Sequence, residues 1–163
     1  MHVPSFATPE DRASAEQLMQ PALIRVIDNI RKQLDKAEWQ GQYEETLVWP
    51  RGTTNEQKQR YAQLQQGLHG VPPEEHDRVA HHISALPQPS PLYRLKLTKE
   101  GQAEQEIDIW ATCYRVCATA ESAGSQSITA DRSLFDEGGE VDWLALDEKT
   151  KALIASIFQA LPA

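Results

Sequence analysis

The chain has 163 residues, with 24 acidic against 16 basic side chains and a formal charge of −8. That length suits one domain with a sizeable apolar core. The negative balance argues against nucleic acid as a partner.

Met1-His2-Val3-Pro4-Ser5 lacks the basic and apolar regions of a secretory signal. No apolar run approaches the ~20 residues that span a bilayer, so no membrane partner is expected. The composition is most readily reconciled with a cytoplasmic protein.

Thr8-Pro9-Glu10-Asp11 is a helix start: a capping hydroxyl, proline in the first turn, then acids at the positive dipole end. This helix is expected to run to about Met19, where Pro21 forces a kink or a fresh start. From Pro21 to Trp39, Leu23, Val26, Ile27, Ile30, Leu34 and Ala37 form a one-sided apolar stripe, the clearest long helix of the chain. The same stripe would also serve a homodimer. Gly41 is positioned to end the helix.

Tyr43–Trp49 alternates as a short strand, stopped by Pro50-Arg51-Gly52. Thr53 and Glu56 resemble a capping box before a Gln-rich helix that reaches about Leu68. A further modest helix is expected from Pro73 to about Leu86. Pro87–Pro91 reads as a stiff, extended connector.

The stretch 91–120 carries the strongest pattern and predicts a β-hairpin. Tyr93, Leu95 and Leu97 alternate with Arg94, Lys96 and Thr98. Gly101 supplies the turn. A loop of Glu100, Gly101 and Gln102 sets Leu95 against Ile107, Tyr93 against Ile109, Arg94 against Asp108 and Lys96 against Glu106. One register thus matches both apolar and charged partners. The return strand is expected from about Glu104 to Ala118, apolar on both faces beyond Trp110, as in a covered strand. Glu121–Gln126 follows as a loop. Ser127–Phe135 and Val141–Leu144 are expected as short strands about a turn at Asp136–Gly139. Asp147 would cap a C-terminal helix bearing Leu153, Ile154, Ile157, Phe158 and Leu161.

The two cysteines, Cys113 and Cys117, decide between redox or metal chemistry and packing. On a strand they would stand about 13 Å apart, too far for a shared zinc or a disulfide. They read as small buried residues of a reduced protein. His76, Asp77 and His81 are the weak metal candidates: Asp77 and His81 are one helical turn apart, but the zinc-protease spacing is missing. Asp136, Glu140 and Asp142 flank two glycines without the pattern of a calcium loop. No nucleophile elbow and no phosphate-binding glycine loop is present. No cofactor is expected, and no catalytic residue stands out.

Two features point to partner binding. The span 121–150 holds eight acids against two bases, a net charge of −6 that suits docking of a basic protein. Trp110, Tyr114 and Arg115 form the candidate ligand-binding group. Trp110 and Tyr114 share a strand face that is either core or an exposed anchor, and Arg115 is expected on the cysteine side.

The expected architecture is a single α+β domain over 1–163. It has a helical N-terminal half (8–86) and a hairpin plus C-terminal helix (91–161), with N- and C-terminal helices packed on a small antiparallel sheet. The expected function is non-enzymatic: interaction with an unidentified protein, assembly or regulation. The alternative is a small-molecule enzyme or ligand-binding domain with its site between sheet and helices, drawing on Arg115, Tyr114 and the histidines.

Overall fold

A computed structural model describes residues 4–123 and 126–163. The expected loop Glu121–Gln126 therefore lies partly outside the described residues. The protein is α+β. Its elements run β1 (Ser5–Phe6), α1 (Pro9–Lys36), β2 (Gln40–Val48), α2 (Asn55–Leu68), α3 (Pro73–Ser84), β3 (Ser90–Thr98), β4 (Gln105–Asp108), α4 (Ile109–Cys117), β5 (Ser127–Ile128) and α5 (Trp143–Gln159). The chain divides into two compact units, a larger one (1–45 and 92–163) and a smaller one (46–91).

Helices pack against the antiparallel sheet β2-β3-β4, most of which belongs to the larger unit. At the start of α1, the Thr8 hydroxyl accepts a hydrogen bond from the Asp11 amide at 3.1 Å, and Pro9 occupies the first turn. The helix then continues through Pro21, where a break was expected. Proline in a helix interior costs about 3 kcal/mol. Leu18, Val26 and Ile30 on its two sides are fully buried, and burying each such side chain returns about 1.5–3 kcal/mol. Tertiary packing therefore outweighs the local penalty. In the apolar stripe Val26 and Ile30 lie in the core, and Leu23, Ile27, Leu34 and Ala37 pack against it.

Gly41 does not end α1, which stops at Lys36; it lies in β2 instead. A Cβ there would sit 2.9 Å from Leu34 Cδ1 and 3.0 Å from Leu95 Cδ1. Glycine thus allows β2 to cross closely over the core.

The β3–β4 register is the expected one: Leu95 faces Ile107, Arg94 faces Asp108 and Lys96 faces Glu106. Leu95, Leu97 and Ile107 turn inward and are buried. On the other face Glu44 pairs with Arg94 at 3.2 Å and with Lys96 at 3.0 Å, while Arg94 also reaches Glu106 at 3.1 Å.

The expected pairing of Tyr93 with Ile109 does not form, because the return strand ends at Asp108. Residues 109–117 are helical, not extended. The Asp108 carboxylate accepts from the Ala111 amide at 3.0 Å and caps the helix. The Thr112 hydroxyl donates back to the Asp108 carbonyl at 2.8 Å. Ile109, Cys113, Val116 and Cys117 are all fully buried, at the spacing of one helix face.

The C-terminal helix starts five residues earlier than expected. Asp142 caps α5 by accepting from the Ala145 amide at 3.1 Å. Asp147 instead accepts from Asn29 at 3.1 Å and from Arg25 at 3.3 Å, tying α5 to α1. The expected strand 127–135 shrinks to β5, paired in parallel with β1, followed by a 3-10 turn at Arg132–Leu134. Phe135 and Val141 form a single bridge across the turn, where Gly139 takes a φ of +80°.

The smaller unit holds α2 and α3. The capping box falls on Thr54 and Gln57, one residue beyond the expected pair. Thr53 donates to the Pro50 carbonyl at 2.6 Å instead. Trp49 meets Tyr61 edge to face at 5.1 Å. Among the described residues, α2 buries no side chain and α3 buries only Ile83.

Candidate interaction surface

β2 is an edge strand, hydrogen-bonded to β3 on one side only. Of its nine residues, eight are exposed. It contains no proline and no lysine, and among the described residues no further strand pairs with its outer edge. An extended edge with free N–H and C=O groups is a template for strand addition.

The exposed side of this strand carries an aromatic residue that leads back into the fold. Tyr43 is 38% exposed. Its ring lies 5.7 Å from that of Tyr93, which in turn lies 6.4 Å from Trp110 at the start of α4. Partial burial and the neighbouring Tyr93 push the Tyr43 phenol up to about 12, so it stays protonated and remains a hydrogen-bond donor at neutral pH. Beside it, hydrogen bonds from Lys96 and Arg94 hold the Glu44 carboxyl below its usual range, and Glu44 in turn raises Lys96. Glu44 is therefore neutralised locally. Glu45 is exposed and forms no ion pair among the described residues. Farther along β2, in the smaller unit, Leu47 and Val48 are each about half exposed.

Trp110, Tyr114 and Arg115 do not converge on one site. Trp110 is half-buried beside Tyr93. Tyr114, one helical turn on, is also half-buried, with its ring 6.3 Å from Phe6. Burial first, then the neighbouring thiols and Glu16, raise its phenol. Arg115 is exposed, whereas Cys113 and Cys117 are buried, so it does not share the cysteine side as expected. The helix turns it outward.

Cys113 and Cys117 are free thiols in the core, as small buried residues, but not for the reason given by a strand. They are one helical turn apart on α4, and the Cys117 thiol lies 3.7 Å from the Met19 sulfur. Burial pushes both thiols up to about 12. Among the described residues no three His, Cys, Asp or Glu side chains are grouped to hold a metal ion. His76 turns to the Val71 carbonyl at 3.1 Å, whereas the His81 ring lies beside that of His82, at 6.4 Å.

The acidic span 121–150 is partly consumed by the fold. Asp131 accepts from Lys149 at 2.7 Å. Asp136 accepts from the Gly138 and Glu140 amides at 2.9 and 3.0 Å, which accounts for the turn once compared with a calcium loop. Asp142 and Asp147 are committed to a cap and to α1. Glu121, Glu137, Glu140 and Glu148 of this span are exposed, and their carboxylates form no ion pair among the described residues.

The exposed edge was not legible beforehand. Tyr43–Trp49 was readable as a strand, but which strand of a sheet is outermost depends on pairings between distant residues. Compared with protein-family models, curated proteins and solved structures, the chain matches none.

Proposed function

We propose that the protein is a non-enzymatic interaction protein that takes up an extended segment of a partner along β2. The observation that carries this reading is the nine-residue edge strand with eight positions exposed. Strand addition uses main-chain hydrogen bonds for affinity and side-chain contacts for specificity. Tyr43, backed by Tyr93 and Trp110, supplies the aromatic anchor. The unpaired Glu45 and the overall charge of −8 favour a basic partner and oppose pairing with a second copy.

The rival, a pocket between sheet and helices, has little support. Leu95, Leu97, Val26 and Ile30 are fully buried in one continuous core there. Two free, buried thiols support a reducing compartment, the cytoplasm, as the site of action.

Site-specific photocrosslinking tests the proposal. A benzophenone side chain replaces Tyr43 in one variant and the exposed α2 residue Gln59 in another. The account predicts a discrete protein adduct from position 43, lost when Glu45 is also replaced by Lys. Adducts of equal yield from both positions, or none from position 43, overturn it.

A further inference from the structure

An open cleft of about 370 Å³ lies within the smaller unit, lined by Arg60, Leu64, His81, His82, Ala85 and Leu86. Its polar side chains are all potential cations. The Arg60 guanidinium and the His81 and His82 imidazoles form no ion pair or side-chain hydrogen bond among the described residues. Among the described residues no carboxylate lines the cleft. Arginine is always charged, so it makes the cleft unfavourable for a metal ion and favourable for an anion. Its apolar lining is Leu64, Ala85 and Leu86, of which the two leucines are half-buried.

We infer that this cleft binds a small organic phosphate. The guanidinium can hold two phosphoryl oxygens through its parallel N–H groups, and the two imidazoles supply donors for the third. A carboxylate has one oxygen fewer and would leave a donor unused. The apolar body of the ligand rests on the leucines and Ala85. The volume falls at the lower end of the range for small-molecule sites, about 300–1,000 Å³. The site is independent of the β2 edge and uses none of its residues.

The test is a titration of the full-length, nitrogen-15-labelled protein with phenyl phosphate, followed by amide chemical shifts. Saturable shifts confined to α2 and α3 are expected. Arg60→Gln should weaken binding by roughly tenfold or more, as expected for loss of a charge-assisted pair. Benzoate and inorganic phosphate should each bind several-fold more weakly, the first lacking an oxygen and the second an apolar body. Arg60 is exposed, so its replacement should leave the fold intact; were R60Q to unfold, the double variant His81→Gln, His82→Gln is read in its place. Shifts that fail to saturate, shifts scattered over other basic residues, benzoate binding as tightly as phenyl phosphate, or unchanged affinity in the variant would each overturn the assignment.

Discussion

Attack by an aromatic disulfide reagent on Cys113 and Cys117 gives the sharpest check on the packing of α4. Both thiols are fully buried and pushed up to about 12. At pH 8 such a thiol is ionised in about one molecule in 10⁴, against about one in four for a free cysteine of pKa about 8.5. The deficit is about 2,000-fold. A more basic thiolate is also a better nucleophile, and a Brønsted coefficient of about 0.45 returns about 40-fold of it. Direct attack on the buried thiol should therefore be slowed by about 60-fold through ionisation alone. Attack through opening of the helix meets a thiol of ordinary pKa and is slowed by the cost of opening instead. The assay compares release of the coloured leaving thiol from native protein with release from protein unfolded in urea. Native protein should react at least about 60-fold more slowly, both thiols together as the core opens. Reaction of either cysteine within a few-fold of the unfolded rate would refute the buried placement of α4.

Three further outcomes follow from the same contacts. Lys149 donates to the Ala118 carbonyl at 2.6 Å and to Asp131 at 2.7 Å, so Lys149→Met should cost about 1–3 kcal/mol in urea unfolding. Asp11, Asp28, Glu44 and Asp131 all titrate below their ordinary range when folded: Thr8 leads the effect on Asp11, Arg31 that on Asp28 and Lys96 that on Glu44, while for Asp131 burial opposes and the Lys149 and Ser133 hydrogen bonds prevail. Their contribution is complete above the carboxylate range of about 4 and is lost as pH falls through the folded values, so thermal stability should drop on acidification below about pH 4, less steeply in the Lys149→Met variant. Gly41→Val should cost about 1–3 kcal/mol by driving its side chain into Leu34 and Leu95, measured by the urea midpoint.

The hairpin register was legible because Leu95 with Ile107 and Lys96 with Glu106 matched apolar and charged character at once, although the cation that pairs with Glu106 is Arg94. The helix α4 was not. Ile109, Thr112, Val116 and two small cysteines are as acceptable in a covered strand as on a buried helix face, and a run of nine residues is too short for periodicity to separate the two. The deciding residue was Asp108, whose carboxylate caps the Ala111 amide and stops the strand. The same kind of local signal was misassigned at the last helix, where Asp142 caps and Asp147 reaches α1. Pro21 misled in the opposite direction, because its local cost was visible and the burial of Leu18, Val26 and Ile30 around it was not. The candidate site suffered most. Trp110 and Tyr114 were placed on one strand face, but on the helix α4 each meets a different ring, and the exposed edge of β2 emerges only once three distant segments have paired. Arg60 and the histidines of α3 carry no mutual sequence signal.

Hydrogen exchange along Gln40–Val48, measured before and after mixing with the partner captured at position 43, bears most directly on strand addition. The account predicts fast exchange at outward-facing amides of β2 in the free protein and marked protection of alternate amides in the complex. Unchanged exchange along β2 in a saturated complex would contradict it.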